Sequence, residues 1–315
     1  MPSRTYDLLL AMFREFRENG KDVTLDEERL GAEAVGDLYQ DVPGITDEVH
    51  PFGRLLSPAE PRDDLVILFI HGGGFRIGTA KNGRQAGVHL AASTGARVLL
   101  PDYRLAPEHP YPAALDDCEA AYLDALDRWP EARIVVGGES AGANLAAALL
   151  LRRRDAADTR AAAGFLYCGV FDLRLENYAR GSWQANADTD LIIKPSSGPI
   201  MSADYLAGRP PTDGYASPAL ADLTGLPPLF IQASGAELLL DDSLALAVQA
   251  ARAGVEVELE VWPHMQHVWH LATGFLPEAT EAVDRTVAFI QRVAEGRVVD
   301  GVALSGGPAS FEEVM

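Results

Sequence analysis

The chain has little cysteine, few basic residues for its acid content, and no long apolar run. Two cysteines in 315 residues, Cys118 and Cys168, exclude a disulfide-stapled scaffold and fit a reducing compartment. No apolar segment approaches the roughly 20 residues of a membrane span, and the first residues lack the basic-then-apolar order of a secretory signal. The expectation is a cytoplasmic protein with no membrane insertion. Lysine and arginine number 26 against 46 aspartates and glutamates, a formal net charge of -20. That charge argues against nucleic acid or an anionic membrane as partner. There is no repeat and no low-complexity block, and the glycine run at 72–74 lacks the Lys-Ser/Thr ending of a phosphate loop. The chain is 48% hydrophobic, enough for one large core.

What is present is a pair of glycine motifs, each after an apolar stretch. Leu65 to Ile70 (LVILFI) is continuous and unalternating, the pattern of a strand buried on both faces, and His71-Gly72-Gly73-Gly74 follows it directly. Arg133 to Val136 is β-branched, Gly138-Glu139-Ser140-Ala141-Gly142 follows, and Asn144 to Leu151 is rich in helix formers. Ser140 thus falls at a strand-to-helix turn, where its hydroxyl is exposed beside the free N–H groups of a helix start. The spacing predicts a nucleophile elbow, with the Gly73, Gly74 and Ala141 amides as oxyanion donors. Taken alone, the glycine run is also compatible with a plain strand-to-loop turn.

A third block agrees with these two. His71 to Gly78 (HGGGFRIG), Pro101 to Asp117 (PDYRLAPEHPYPAALDD) and Gly138 to Ala146 (GESAGANLA) occur in the order seen in the hormone-sensitive lipase-like family of α/β-hydrolases, and the chain resembles its bacterial esterase branch from about residue 60 to residue 292. The middle block reads as a loop bracing the glycine loop, its prolines fixing backbone angles. The resemblance implies an α/β-hydrolase fold: a mostly parallel central sheet flanked by helices, with a helical cap over the active site. It also implies a serine carboxylesterase acting on short- to medium-chain esters through an acyl-enzyme, with no cofactor and no metal.

In the family order of serine, acid, histidine, the base is His267, in the loop His264 to His270 after the strand-like VEVELEV of residues 255–261. His264 and His270 read as loop or surface residues. The acid is Glu237, four residues before Asp241; the resemblance places Glu237 in the catalytic slot and Asp241 in a structural one, with Asp241 as the alternative acid. Asp241 and Asp242 otherwise look like ordinary helix-start acids.

Three regions lie outside this pattern. Residues 1–50 read as an N-terminal helical cap segment, with Leu8, Leu9, Met12, Phe13 and Phe16 on one face of the first helix and a second helix from Leu25 to Leu38. Residues 51–300 form the catalytic domain, with a cap insertion at about 177–215 whose Trp183 and Ile192, together with Phe13, are candidates for the substrate pocket. Residues 301–315 read as a polar, flexible tail. The resemblance implies a homodimer paired through an edge strand, here VEVELEV, although its glutamates equally suit an edge that discourages pairing. The same apparatus would serve a lactone hydrolase, an acetylhydrolase or a cyclase of secondary metabolism. A ligand-binding protein on the same scaffold is the alternative of another class.

Overall fold

The computed structural model describes residues 2–19, 23–37, 42–296 and 303–306. Two helices open the chain, α1 (Arg4–Asn19) and α2 (Leu25–Gly36). The second starts on a reciprocal cap in which the Thr24 hydroxyl accepts from Glu27 N–H and the Glu27 carboxylate accepts from Thr24 N–H. It ends at Gly36; Leu38 lies outside the described residues. The sheet strands follow as β1 (Ile45–His50), β2 (Gly53–Pro58), β3 (Leu65–Ile70), β4 (Arg97–Pro101), β5 (Arg133–Glu139), β6 (Ala161–Tyr167), β7 (Leu229–Ser234), β8 (Val257–Trp262) and β9 (Ala303–Gly306). Among the described residues these form one nine-stranded sheet in the order β1-β2-β4-β3-β5-β6-β7-β8-β9. β2 pairs antiparallel with β1 on one side and with β4 on the other; every later pairing is parallel.

The connections between parallel strands carry α3 (Arg84–Thr94), α4 (Ala113–Arg128), α5 (Ala141–Asp155) and α8 (Leu240–Arg252), and α9 (Pro277–Ala294) closes the layers. They cover both faces, so the central strands are buried throughout, as LVILFI in β3 requires. One core layer unites α4, α5 and α8 with one sheet face; the other packs α3 and α9 on the opposite face, with Phe69 stacked on Phe165 and Phe230 on Phe289. Helix α5 is buried from Ala141 to Leu151 and meets water from Arg152 to Asp155, where three cations suit the negative end of the helix.

Several expectations are corrected. The boundary drawn at residue 50 separates β1 from its partner β2, so the sheet begins at Ile45. VEVELEV is not a free edge: β9 pairs with β8, Glu258 opposite Ala303, and a dimer through that edge finds it occupied. Residues 303–306 of the expected flexible tail are this strand, while the rest of 301–315 lies outside the described residues. Helix α1 is turned from the expected face. Leu8 and Met12 are 62% and 66% exposed. Tyr6 and Leu10, one helical turn apart, are the residues that pack on Met265, Trp269 and Leu276, and the Tyr6 hydroxyl donates to the His264 carbonyl. The side chain of Phe16 lies outside the described residues.

Two further helices sit in the insertion after β6: the single turn α6 (Ser182–Ala185) and α7 (Ser197–Leu206). They lie, with α1 and α2, at the carboxyl ends of the parallel strands. Arg17 of α1 fastens this assembly by donating to the carbonyls of Asp190, Ile193 and Ala187.

Candidate active site

Ser140 stands between β5 and α5 with φ 55 and ψ -121, a conformation that side-chain-bearing residues rarely adopt. The glycines around it have a steric reason. A Cβ on Gly138 would lie 2.2 Å from the Gly142 carbonyl, and one on Gly142 would lie 2.1 Å from the Ile70 carbonyl of β3. The turn is therefore closed to any larger residue, and the Ser140 N–H is held by the Tyr167 carbonyl at 2.8 Å.

His267, in the loop after β8, brings Nε2 to 2.9 Å from Ser140 Oγ. Its Nδ1 lies 2.6 Å from Glu237 Oε2, and Glu237 is fully buried, its other oxygen accepting from Ser234 N–H at 2.7 Å. The structure thus brings together Ser140, His267 and Glu237 in one hydrogen-bonded line. Asp241 is not on it: its carboxylate accepts from Ser182 N–H at 2.9 Å and ties α6 to the start of α8. Burial opposes charge on the His267 ring, but the hydrogen bond and charge of Glu237, with the more distant Asp190 and Glu139 carboxylates, outweigh it and raise its pKa above the ordinary histidine value.

The glycine loop faces this line from β3. Gly73 and Gly74 have φ of 97 and 60, and Phe75 after them has 62, so three consecutive residues are left-handed. A Cβ on Gly73 would lie 2.2 Å from the Ile77 carbonyl. His71 stacks on Tyr103 at 4.2 Å, and the Tyr103 hydroxyl donates to the His71 and Gly72 carbonyls. Burial lowers the His71 pKa to about 4, leaving a neutral ring that shapes the loop. The expected bracing by the Pro101–Asp117 block is thus present, and Asp102 adds a bond from Ala80 N–H at 2.6 Å.

A cavity of about 680 Å³ opens over Ser140, within the range of small-molecule sites. Trp183 and Ile192 line it, with Leu191, Ile193 and Met201. Phe13 does not; the residue of α1 that reaches the cavity is Arg17, four positions further along the helix. The roof also includes Glu28 and Gly31 of α2.

Other residues of the site had little signal in the sequence. Glu139, the variable position of the elbow motif, is buried and accepts the Gly72 N–H, joining elbow and glycine loop. Burial raises its pKa. Asp190 is buried and accepts from the Ile192, Ile193 and Leu238 N–H groups, linking the insertion to the Glu237 loop. Asp242 is no ordinary helix-start acid: it is buried, accepts from Phe171, Asp172, Asn177 and Trp183, and is pushed up to about 7 by burial against those donors. The three loop histidines diverge. His264 is exposed, while His270, expected at the surface, is fully buried, stacked on Tyr167 at 3.8 Å with Nε2 3.0 Å from Gln232 Oε1. Cys118 and Cys168 are both buried free thiols. Cys168, Glu237 and His267 hold their polar atoms within 4.8 Å of one another, and the thiol is raised well above its usual range by burial and then by the Glu237 charge.

Residues 67–271 match the alpha/beta hydrolase fold family. The chain is 37% identical to an acetyl-hydrolase of Streptomyces hygroscopicus over 84% of this chain and 87% of the relative, and 32% identical to carboxylesterase NlhH of Mycobacterium tuberculosis over 76% and 77%. Among solved structures it is similar to an esterase from the bacterial hormone-sensitive lipase family, at TM-score 0.85 and 36% identity over 93% of this chain and 99% of that one. A hormone-sensitive lipase from a metagenome library superposes at TM-score 0.87 and 31% identity over the same shares. With its motifs in order, its sheet topology and these relatives in agreement, the chain belongs to the hormone-sensitive lipase-like family of α/β-hydrolases.

Proposed function

We propose that this carboxylic ester hydrolase is a serine esterase for short- to medium-chain esters, working through an acyl-enzyme on Ser140. The observation that carries the reading is the line from Ser140 Oγ through His267 to Glu237, at 2.9 Å and 2.6 Å, beneath a cavity of about 680 Å³. His267 Nε2 takes the Ser140 proton as Oγ attacks the ester carbonyl, and Glu237 holds the ring and offsets the imidazolium charge. The N–H groups of Gly73, Gly74 and Ala141 receive the oxyanion, each for roughly 3 kcal/mol of transition-state stabilisation. His267 then protonates the departing alcohol, and water repeats the sequence on the acyl-enzyme.

In this reading α1, α2 and the 177–215 insertion form the cap, and the Ile192, Leu191 and Met201 side chains receive the acyl chain. A reducing, cytoplasmic setting fits the two buried free thiols. The identity to an acetyl-hydrolase favours a second, narrower reading in which the natural acyl group is acetyl. The test is hydrolysis of p-nitrophenyl esters from acetate to laurate, with lactones alongside. Ser140→Ala is expected to lower turnover by about 10⁴-fold or more while the melting temperature stays near that of the wild type. Near-wild-type turnover in that variant overturns the assignment, and a profile confined to acetate selects the narrower reading.

A further inference from the structure

We propose that the cap is a positioning element for the oxyanion loop as well as a roof, acting through Arg29, Asp204 and Tyr205. The inference rests on the assignment of Gly73 and Gly74 as oxyanion donors. Three consecutive left-handed residues, with a phenylalanine as the third, form a strained turn that the Arg76 and Ile77 N–H groups close on the Gly73 carbonyl at 3.0 Å each; the cap and the sheet decide how that turn is aimed. The start of the loop is held from the sheet side, by Glu139 at the Gly72 N–H and by the Tyr103 hydroxyl at the His71 and Gly72 carbonyls.

Its end is held largely from the cap. The Phe75 ring is fully buried and lies flat on Tyr205 of α7, centroids 3.7 Å apart and planes 9° apart. The Arg76 guanidinium pairs with Asp204 of the same helix at 2.7 Å. From the other cap element, Arg29 of α2 donates Nε to the Arg76 carbonyl at 2.9 Å and a terminal nitrogen to the Ala106 carbonyl at 3.0 Å, while both terminal nitrogens bind the Glu108 carboxylate. Ala106 N–H closes the circuit on the Phe75 carbonyl at 2.9 Å. Gly74 itself lies under α7, where an added Cβ would be 3.5 Å from Met201 Sδ.

The directions of the Gly73 and Gly74 N–H bonds are set by the torsions of residues 72–74, which lie between these two anchored ends, and one end belongs to the cap. Oxyanion donors act only when aimed at the position the charge will occupy, and a small swing forfeits their effect. A cap serving only as a roof would change the binding of long acyl chains. A cap that aims the donors also changes turnover of the smallest ester, which has no chain to reach the roof.

The experiment is steady-state hydrolysis of p-nitrophenyl acetate by Arg29→Met and Asp204→Asn, each in the full chain, with melting curves to establish folding. The rate of Ser140 phosphonylation by a p-nitrophenyl phosphonate is measured in parallel. The expected result is a fall in acetate kcat of about 5- to 30-fold, KM little changed, and a matching fall in phosphonylation. The acid limb of the pH profile stays in place, because the His267 line is untouched. Wild-type acetate kcat in both folded variants, with losses confined to the KM of longer esters, overturns the proposal. Loss of turnover in Ser140→Ala beside wild-type acetate kcat in both cap variants rejects the cap inference alone, whereas surviving turnover in Ser140→Ala rejects the site on which it rests.

Discussion

The two halves of the site are built in different ways. The lower half, with Ser140, His267, Glu237 and the glycine loop, sits on turns at the carboxyl ends of neighbouring parallel strands. Its geometry follows from backbone constraints such as the closed space at Gly138 and Gly142. The upper half is a patchwork from distant segments, α1 and α2 near the start of the chain and residues 177–215. It is joined by side chains that reach backbone carbonyls: Arg17 to residues 187–193, Arg29 to residues 76 and 106. A strand-borne site tolerates almost no substitution and is legible as a motif. A side-chain-joined roof tolerates many and leaves little trace in local sequence.

The sharpest way to break this contrast is within the lower half. Glu237→Gln is expected to lower kcat by about 10³- to 10⁴-fold, while Asp241→Asn, at a residue whose carboxylate accepts from Ser182 N–H, stays within about threefold. The same pair tests the proton logic. His267 must be neutral to act as base, and its pKa lies above the ordinary 6.5, so activity is expected to be complete at alkaline pH and to fall as the pH drops through that raised value. Glu237→Gln removes the hydrogen-bond and charge contributions that raise it and leaves the burial that lowers it, so the acid limb of the residual activity moves to lower pH. Comparable losses in the two variants, or a limb that stays in place, would remove Glu237 from its role.

Gly73→Ala comes next. A methyl group there meets the Ile77 carbonyl at 2.2 Å in a backbone region that alanine avoids, so the loop must open. A drop of about 10²- to 10³-fold in kcat is expected, with KM nearly unchanged, as measured by initial rates on acetate and butyrate. The smallest effect belongs to the upper half. Ile192→Trp narrows a cavity wall that is already partly exposed, so octanoate kcat/KM is expected to fall about tenfold and acetate less than twofold. An equal loss on both esters would mean that this wall acts on the chemistry rather than on chain length.

The lower half was legible for reasons that can be named. LVILFI matches β3 residue for residue because a strand covered on both faces needs an unbroken apolar run, and G-x-S-x-G marks the elbow because nothing larger than glycine fits beside Ser140. Choosing Glu237 over Asp241 needed the resemblance, since both are acids near a helix start. The upper half was misread where composition stood in for contact. Leu8 and Met12 are apolar yet exposed, while Tyr6, which reads as amphipathic, is wholly buried, because what lies against α1 is the distant 265–276 segment. His270 reads as a loop or surface residue, yet it is fully buried and stacks on Tyr167 of β6, more than a hundred residues away in the chain.

From the sequence alone came the strand-turn-helix units, the chemistry that Ser140 and His267 are equipped for, and the order in which they occur, since each depends on neighbours within a few residues. Tertiary structure decided the strand that covers β8, the face α1 presents, the buried roles of Glu139, Asp190 and Asp242, and the wall that Arg17 rather than Phe13 gives the cavity. These depend on contacts between segments tens to hundreds of residues apart, which local periodicity and propensity do not encode.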